Sequence, residues 1–219
     1  MGFAKKEVVA IKAPNIQIAR ITVIGDAPLV HNRFPEEAKN MMMAKQAAGS
    51  TAKKGNRAPK DFDASCLSML HQSKDKTWCG LPASAFRCGL ISACRLVGFP
   101  MTKAKLSIFV IADGYEEDGT PLVKLTKGNW HRFDTYTKNA DDSCDIRSRP
   151  MFDPGWEAVV TIKFDADQFS LSDVTNLLAR MGAQVGICAG RPDSSNSTGC
   201  GWGTFMLGEA APTDGKAAA

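Results

Sequence analysis

No aspartate or glutamate occurs between Ala38 and Lys60, a stretch that holds six basic residues, Lys39, Lys45, Lys53, Lys54, Arg57 and Lys60. The 219-residue chain has a net charge of +4, so removing those six leaves the rest at −2. Such segregation points to a polyanionic partner for that segment. Other absences exclude whole classes of chemistry. None of the seven cysteines forms a C-x-x-C pair, which argues against a zinc site or a redox motif. Their odd number and scatter fit reduced thiols in a cytoplasmic setting. There is no Walker-type phosphate loop, no H-E-x-x-H and no nucleophile elbow, so neither metal nor cofactor is expected. No apolar run reaches the length of a membrane span, and Met1–Glu7 lacks the apolar core of a secretory signal. No membrane partner is expected.

What is present reads as an ordinary globular core, 44% hydrophobic and 23% charged. Residues 1–14 read as a loose arm and 209–219 as a low-complexity tail. Between them, 15–208 is one domain. Ile16–Ile24, rich in β-branched residues, predicts a strand closed by Gly25-Asp26. A helix is expected after Pro35, passing into a loop rich in Gly, Ala, Ser and Lys. Leu81-Pro82 opens a second helix whose apolar stripe is Phe86, Leu90, Ala93, Cys94 and Val97, ended by Gly98. Lys105–Ala112 reads as a central strand, apolar on both faces. The polar stretch 113–155 is expected to be irregular, with a hairpin near Leu122–Lys124. Ala158–Phe164 alternates as a half-buried strand. Ser170 and Asp173 form a capping box before Val174, Leu177, Leu178 and Met181. Gly203–Leu207 is the last strand. The order is that of an α+β, ferredoxin-like β-α-β-β-α-β core. It carries a basic insertion at 35–78 after the first strand and a polar one at 113–155.

Three features together resemble the RAMP superfamily, the RNA-recognition-motif-like proteins that include CRISPR backbone subunits and processing nucleases. Leu81-Pro82-Ala83-Ser84-Ala85-Phe86-Arg87 is similar to that family's Pro-Gly-Ser-Ser-Leu-Lys-Gly helix start, with Ala83 and Cys88 standing at family glycine positions. Six glycines between Gly182 and Gly203 resemble its terminal glycine-rich loop. The basic insertion occupies the place of a backbone subunit's thumb. The chain also resembles short prophage-encoded proteins, which implies a bacterial host cytoplasm. The resemblance implies single-stranded RNA or DNA across the palm, with subunits stacking into a helical oligomer. Other effector-complex subunits are possible partners on the same ground.

The candidate contacts follow from charge and aromaticity. Lys45, Lys53, Lys54, Arg57 and Lys60 can neutralise phosphates, each adding about 0.7 to the salt slope on a single strand; the alternative is a solvated linker. Arg87 and Arg95 on the second helix either reach phosphate or form its wet face. Arg132, Arg147 and Arg149, interleaved with Trp130, Phe133 and Tyr136, suit unpaired bases; Asp134, Asp141, Asp142 and Asp145 either repel the strand or pair with those arginines. Arg191, with the amides around Gly190, Gly199, Gly201 and Gly203, is the leading phosphate contact. Trp202 either stacks on a base or plugs the core edge. His31 is the single candidate general base for a metal-independent endoribonuclease, against a structural role. His71 and His131 stand in unrelated segments. Glu116-Glu117-Asp118 reads as an exposed turn. A virion or protein-interaction component is the third reading.

Overall fold

The computed structural model describes residues 12–48, 61–138, 144–194 and 199–208. They form an α+β fold built on two antiparallel sheets. Strand β1 (Ile16–Gly25) is an interior strand of the larger sheet. It pairs on one side with β10 (Phe205–Leu207) and on the other with β9 (Glu157–Asp165). The far edge of β9 is shared by β4 (Ile108–Ile111) and β6 (Pro121–Lys127), and β6 also pairs with the short β3 (Gly80–Pro82) and β5 (Gly114–Tyr115).

Two helices cover one face of this sheet. Helix α3 (Ala83–Ala93) follows β3 directly and continues into a 3-10 turn, Cys94–Val97. Helix α5 (Leu171–Arg180) begins at the expected capping box, with the Ser170 hydroxyl accepting from the Asp173 amide, and runs on as a π-helical turn, Met181–Val185. Phe86, Leu90, Val174 and Leu178 meet Ala19, Val23, Val160 and Ile162 in one core. Each fully buried large side chain contributes about 1.5–3 kcal/mol. Along β9 every second residue is buried, as its alternation predicts. Across the sheet, Ile18 and Met206 remain exposed, so one face is open among the described residues.

Two expectations need correction. Lys105–Ala112 is not one strand. Pro100 caps helix α4 (Met101–Ser107), and only Ile108–Ile111 are extended. Its misleading alternation included Leu106, which the fold leaves 81% exposed. The stretch 113–155 is not irregular either. It holds β7 (Trp130–Lys138) and β8 (Cys144–Phe152), a long antiparallel leaf, together with β5 and β6. With β2 (Leu29–Val30) the leaf makes the second sheet, in the order β2-β8-β7. The basic insertion holds α1 (Glu36–Ala48) and α2 (Phe62–Ser68). The short α2 packs on β8.

Candidate functional site

Between the leaf, α3 and the glycine-rich loop lies an open cleft of about 1100 Å³. Its floor is the flank of α3 beside the core stripe, where Pro82 at the N-cap, Ala85, Gly89 and Ser92 recur at helical spacing. These side chains are short, and the space above them is the cleft.

One wall comes from the leaf. Phe133 pairs with Arg149 and Thr135 with Arg147, so these four share a face, and all line the cleft. Arg132 has the opposite parity. It turns away to Asp63 of α2 at 2.6 Å and to Asp134 at 2.9 Å. The pairing alternative therefore holds for Arg132, and it is corrected as a cleft contact.

The other wall is the glycine-rich loop, which contributes Gly190, Arg191 and Trp202. Trp202 lies against Gly190 so closely that a Cβ there would fall 2.3 Å from its ring. Its ring also meets Phe133 edge-on at 5.6 Å, joining loop to leaf. Of the glycine amides expected to cradle phosphate, that of Gly203 is taken up by the fold. The amides of Ile187, Ala189, Trp202 and Gly203 donate to Gly203, Val30, Gly190 and Pro28 carbonyls, closing the loop on itself and on β2. Gly203 is fixed by backbone approach, since a Cβ there would lie 1.9 Å from the Ile187 oxygen. Gly201 at the loop's end is outside the cleft lining, as is Gly199. Arg191 donates to the Cys188 carbonyl at 3.2 Å while lining the cleft.

Arg149 is the electrostatic anomaly. It is 8% exposed, its Nε has no hydrogen-bond partner, and no carboxylate among the described residues pairs with it. Burial, and then the neighbouring Arg147, hold its pKa below the usual arginine value. Native proteins almost always pair a buried charge. Asp193 also lines the cleft but is taken by the Ser92 hydroxyl and by Arg95 at 2.6 Å, and these hydrogen bonds lower its pKa in that order of importance. Arg95 is thus held to the loop that carries Asp193. Arg87 donates to the Ile108 and Lys105 carbonyls, away from the cleft, which corrects it as a phosphate contact there. The Cys188 thiol is pushed up to about 12 by burial, which leaves it unreactive as a nucleophile.

His31 is fully buried. Its backbone N–H donates to the Pro150 carbonyl at 2.9 Å, and its Nδ1 accepts from the His71 amide at 3.2 Å. Burial, with His71 nearby, lowers its pKa well below 6.5. It is absent from the cleft lining, and its burial favours the structural role weighed against a general base. The histidine that lines the cleft is His71. Its Nδ1 lies 2.6 Å from Glu116 Oε1, and Arg33 reaches the other carboxylate oxygen at 2.8 Å. Glu116 is 3% exposed, the opposite of the exposed turn expected from its neighbours. Nothing in the sequence signals this pair, whose members stand 45 positions apart.

Lys53, Lys54, Arg57 and Lys60 lie outside the described residues, as does the side chain of Lys45. Among the described residues, no group of three or more His, Cys, Asp or Glu is set to hold a metal ion, and no helix is long and apolar enough to cross a membrane. In comparisons with known proteins, no family model matches the chain, and no curated protein does.

Proposed function

We propose that this protein is a non-enzymatic binder of single-stranded nucleic acid, RNA favoured, that takes the strand through the cleft between leaf and glycine-rich loop. The observation that carries this reading is the convergence of Arg147, Arg149, Arg191, Phe133 and Trp202, from two segments remote in sequence, on one open cleft. Cations beside aromatic rings suit a sugar-phosphate backbone with unstacked bases. The buried Arg149 has an unmet need for an anion, which a phosphate supplies.

The strand order β10-β1-β9-β4, with α3 and α5 on one face, supports reading the core as ferredoxin-like, within the RAMP superfamily. On that reading the basic segment at 45–60 closes over the strand, and subunits assemble along it as a filament or multisubunit backbone.

Fluorescence anisotropy with an unstructured labelled oligonucleotide tests the binding. Affinity should fall steeply with salt, and negative-stain microscopy should show extended assemblies only with the strand present. Absence of binding at low salt, or binding indifferent to salt, overturns the reading.

A further inference from the structure

We propose that the cleft reads ribose as well as phosphate: a backbone phosphate seats on Arg149, and a neighbouring 2′-hydroxyl donates a hydrogen bond to Nε2 of His71. This rests on the strand-binding reading above and adds to it the group that separates RNA from DNA. A carboxylate can only accept, so the 2.6 Å contact with Glu116 places the proton of a neutral His71 ring on Nδ1. That leaves Nε2 as a lone-pair acceptor. Among the described residues Nε2 has no partner of its own, while the residue lines the cleft. Glu116 is in turn held at its other carboxylate oxygen by Arg33, which fixes the carboxylate against the ring.

The two groups are held in one frame. The His31 amide bonds to the carbonyl of Pro150, next to Arg149, and the His31 ring takes the amide of His71. One buried residue, through its backbone amide and its ring, therefore ties the backbone of the phosphate seat to that of the hydroxyl acceptor. An acceptor at a sugar edge favours a 2′-hydroxyl, which DNA lacks.

The test compares three oligouridines of equal length by anisotropy with the full chain at one salt concentration: ribose, 2′-deoxyribose and 2′-fluoro. The fluorinated sugar keeps an RNA-like pucker but has no proton to donate. The ribose strand should bind about threefold to tenfold more tightly than the deoxy strand, the worth of one hydrogen bond. The 2′-fluoro strand should bind like the deoxy strand. His71→Phe should collapse the ribose-to-deoxy ratio towards one, while Arg149→Met should weaken both strands and leave their ratio standing. Equal affinity for ribose and deoxy strands, or a 2′-fluoro strand as tight as ribose, overturns the inference, and both arms use the unaltered protein. A ratio that survives His71→Phe overturns it as well. If neither strand binds, the strand-binding reading itself has failed, a different result from binding without preference.

Discussion

Arg149 illustrates a side chain whose worth to the fold and worth to the site have opposite signs. Its guanidinium is buried beside Arg147 with no carboxylate among the described residues to meet it, so it carries an uncompensated desolvation cost. Arg149→Met keeps the length and removes the charge. It should raise the urea midpoint by the equivalent of about 1–2 kcal/mol. It should also weaken oligonucleotide binding by roughly tenfold, the value of one charge-assisted contact. A destabilised variant would mean that the charge has an internal partner. His31 gives a second prediction. Its folded ring accepts a proton only well below 6.5, whereas the unfolded ring does so near 6.5. Between those values the unfolded chain holds the extra proton, so stability falls as pH falls. The slope reaches at most about 1.4 kcal/mol per pH unit for one proton. His31→Asn, whose amide oxygen can still accept from His71, should flatten that slope between pH 6.5 and 5 in thermal melts. An unchanged slope would mean that another group is responsible.

At the scale of elements, the glycine-rich loop is held by close backbone approach more than by conformational looseness. Gly203→Ala must push its Cβ against the Ile187 carbonyl from a backbone already at φ +69. The loss should exceed about 3 kcal/mol, among the larger effects of a single substitution. A melt within a few degrees of the parent would contradict this packing. Trp202→Ala leaves the loop backbone alone and removes the contact with Phe133. Amide exchange in β7 and β8 should then accelerate, while β1 and β9 keep their protection. What could be read beforehand at this scale was local. The Ser170–Asp173 cap, the α3 stripe and the alternation of β9 all depend on neighbours within a few residues or on a single buried face. The leaf was illegible because charged residues occupy both of its faces, so no apolar period marks either strand. Arg147 and Arg149 were recognisable as candidates, but their separation from Arg132 depends on the β7–β8 register. The His71–Glu116 pair required folded chain to bring together segments with no common pattern.

Among its described residues the molecule sets one wall of the cleft on the leaf and the other on the glycine-rich loop. Its salt response should divide accordingly, since each phosphate contact on a single strand adds about 0.7 to the slope. Arg149→Met should lower the slope by about that much. Replacing Lys53, Lys54, Arg57 and Lys60 with serine should lower it by up to about four times as much, if the basic segment closes over the strand. A slope that ignores the second set would remove the segment from the interface and leave the cleft as the binding element. The buried cation in that cleft also has a preparative consequence. A cell extract is crowded with polyanions, and a site with an unmet charge will arrive from it already occupied. Material isolated gently should absorb strongly at 260 nm, and a true empty state should be reached only after stripping at high ionic strength.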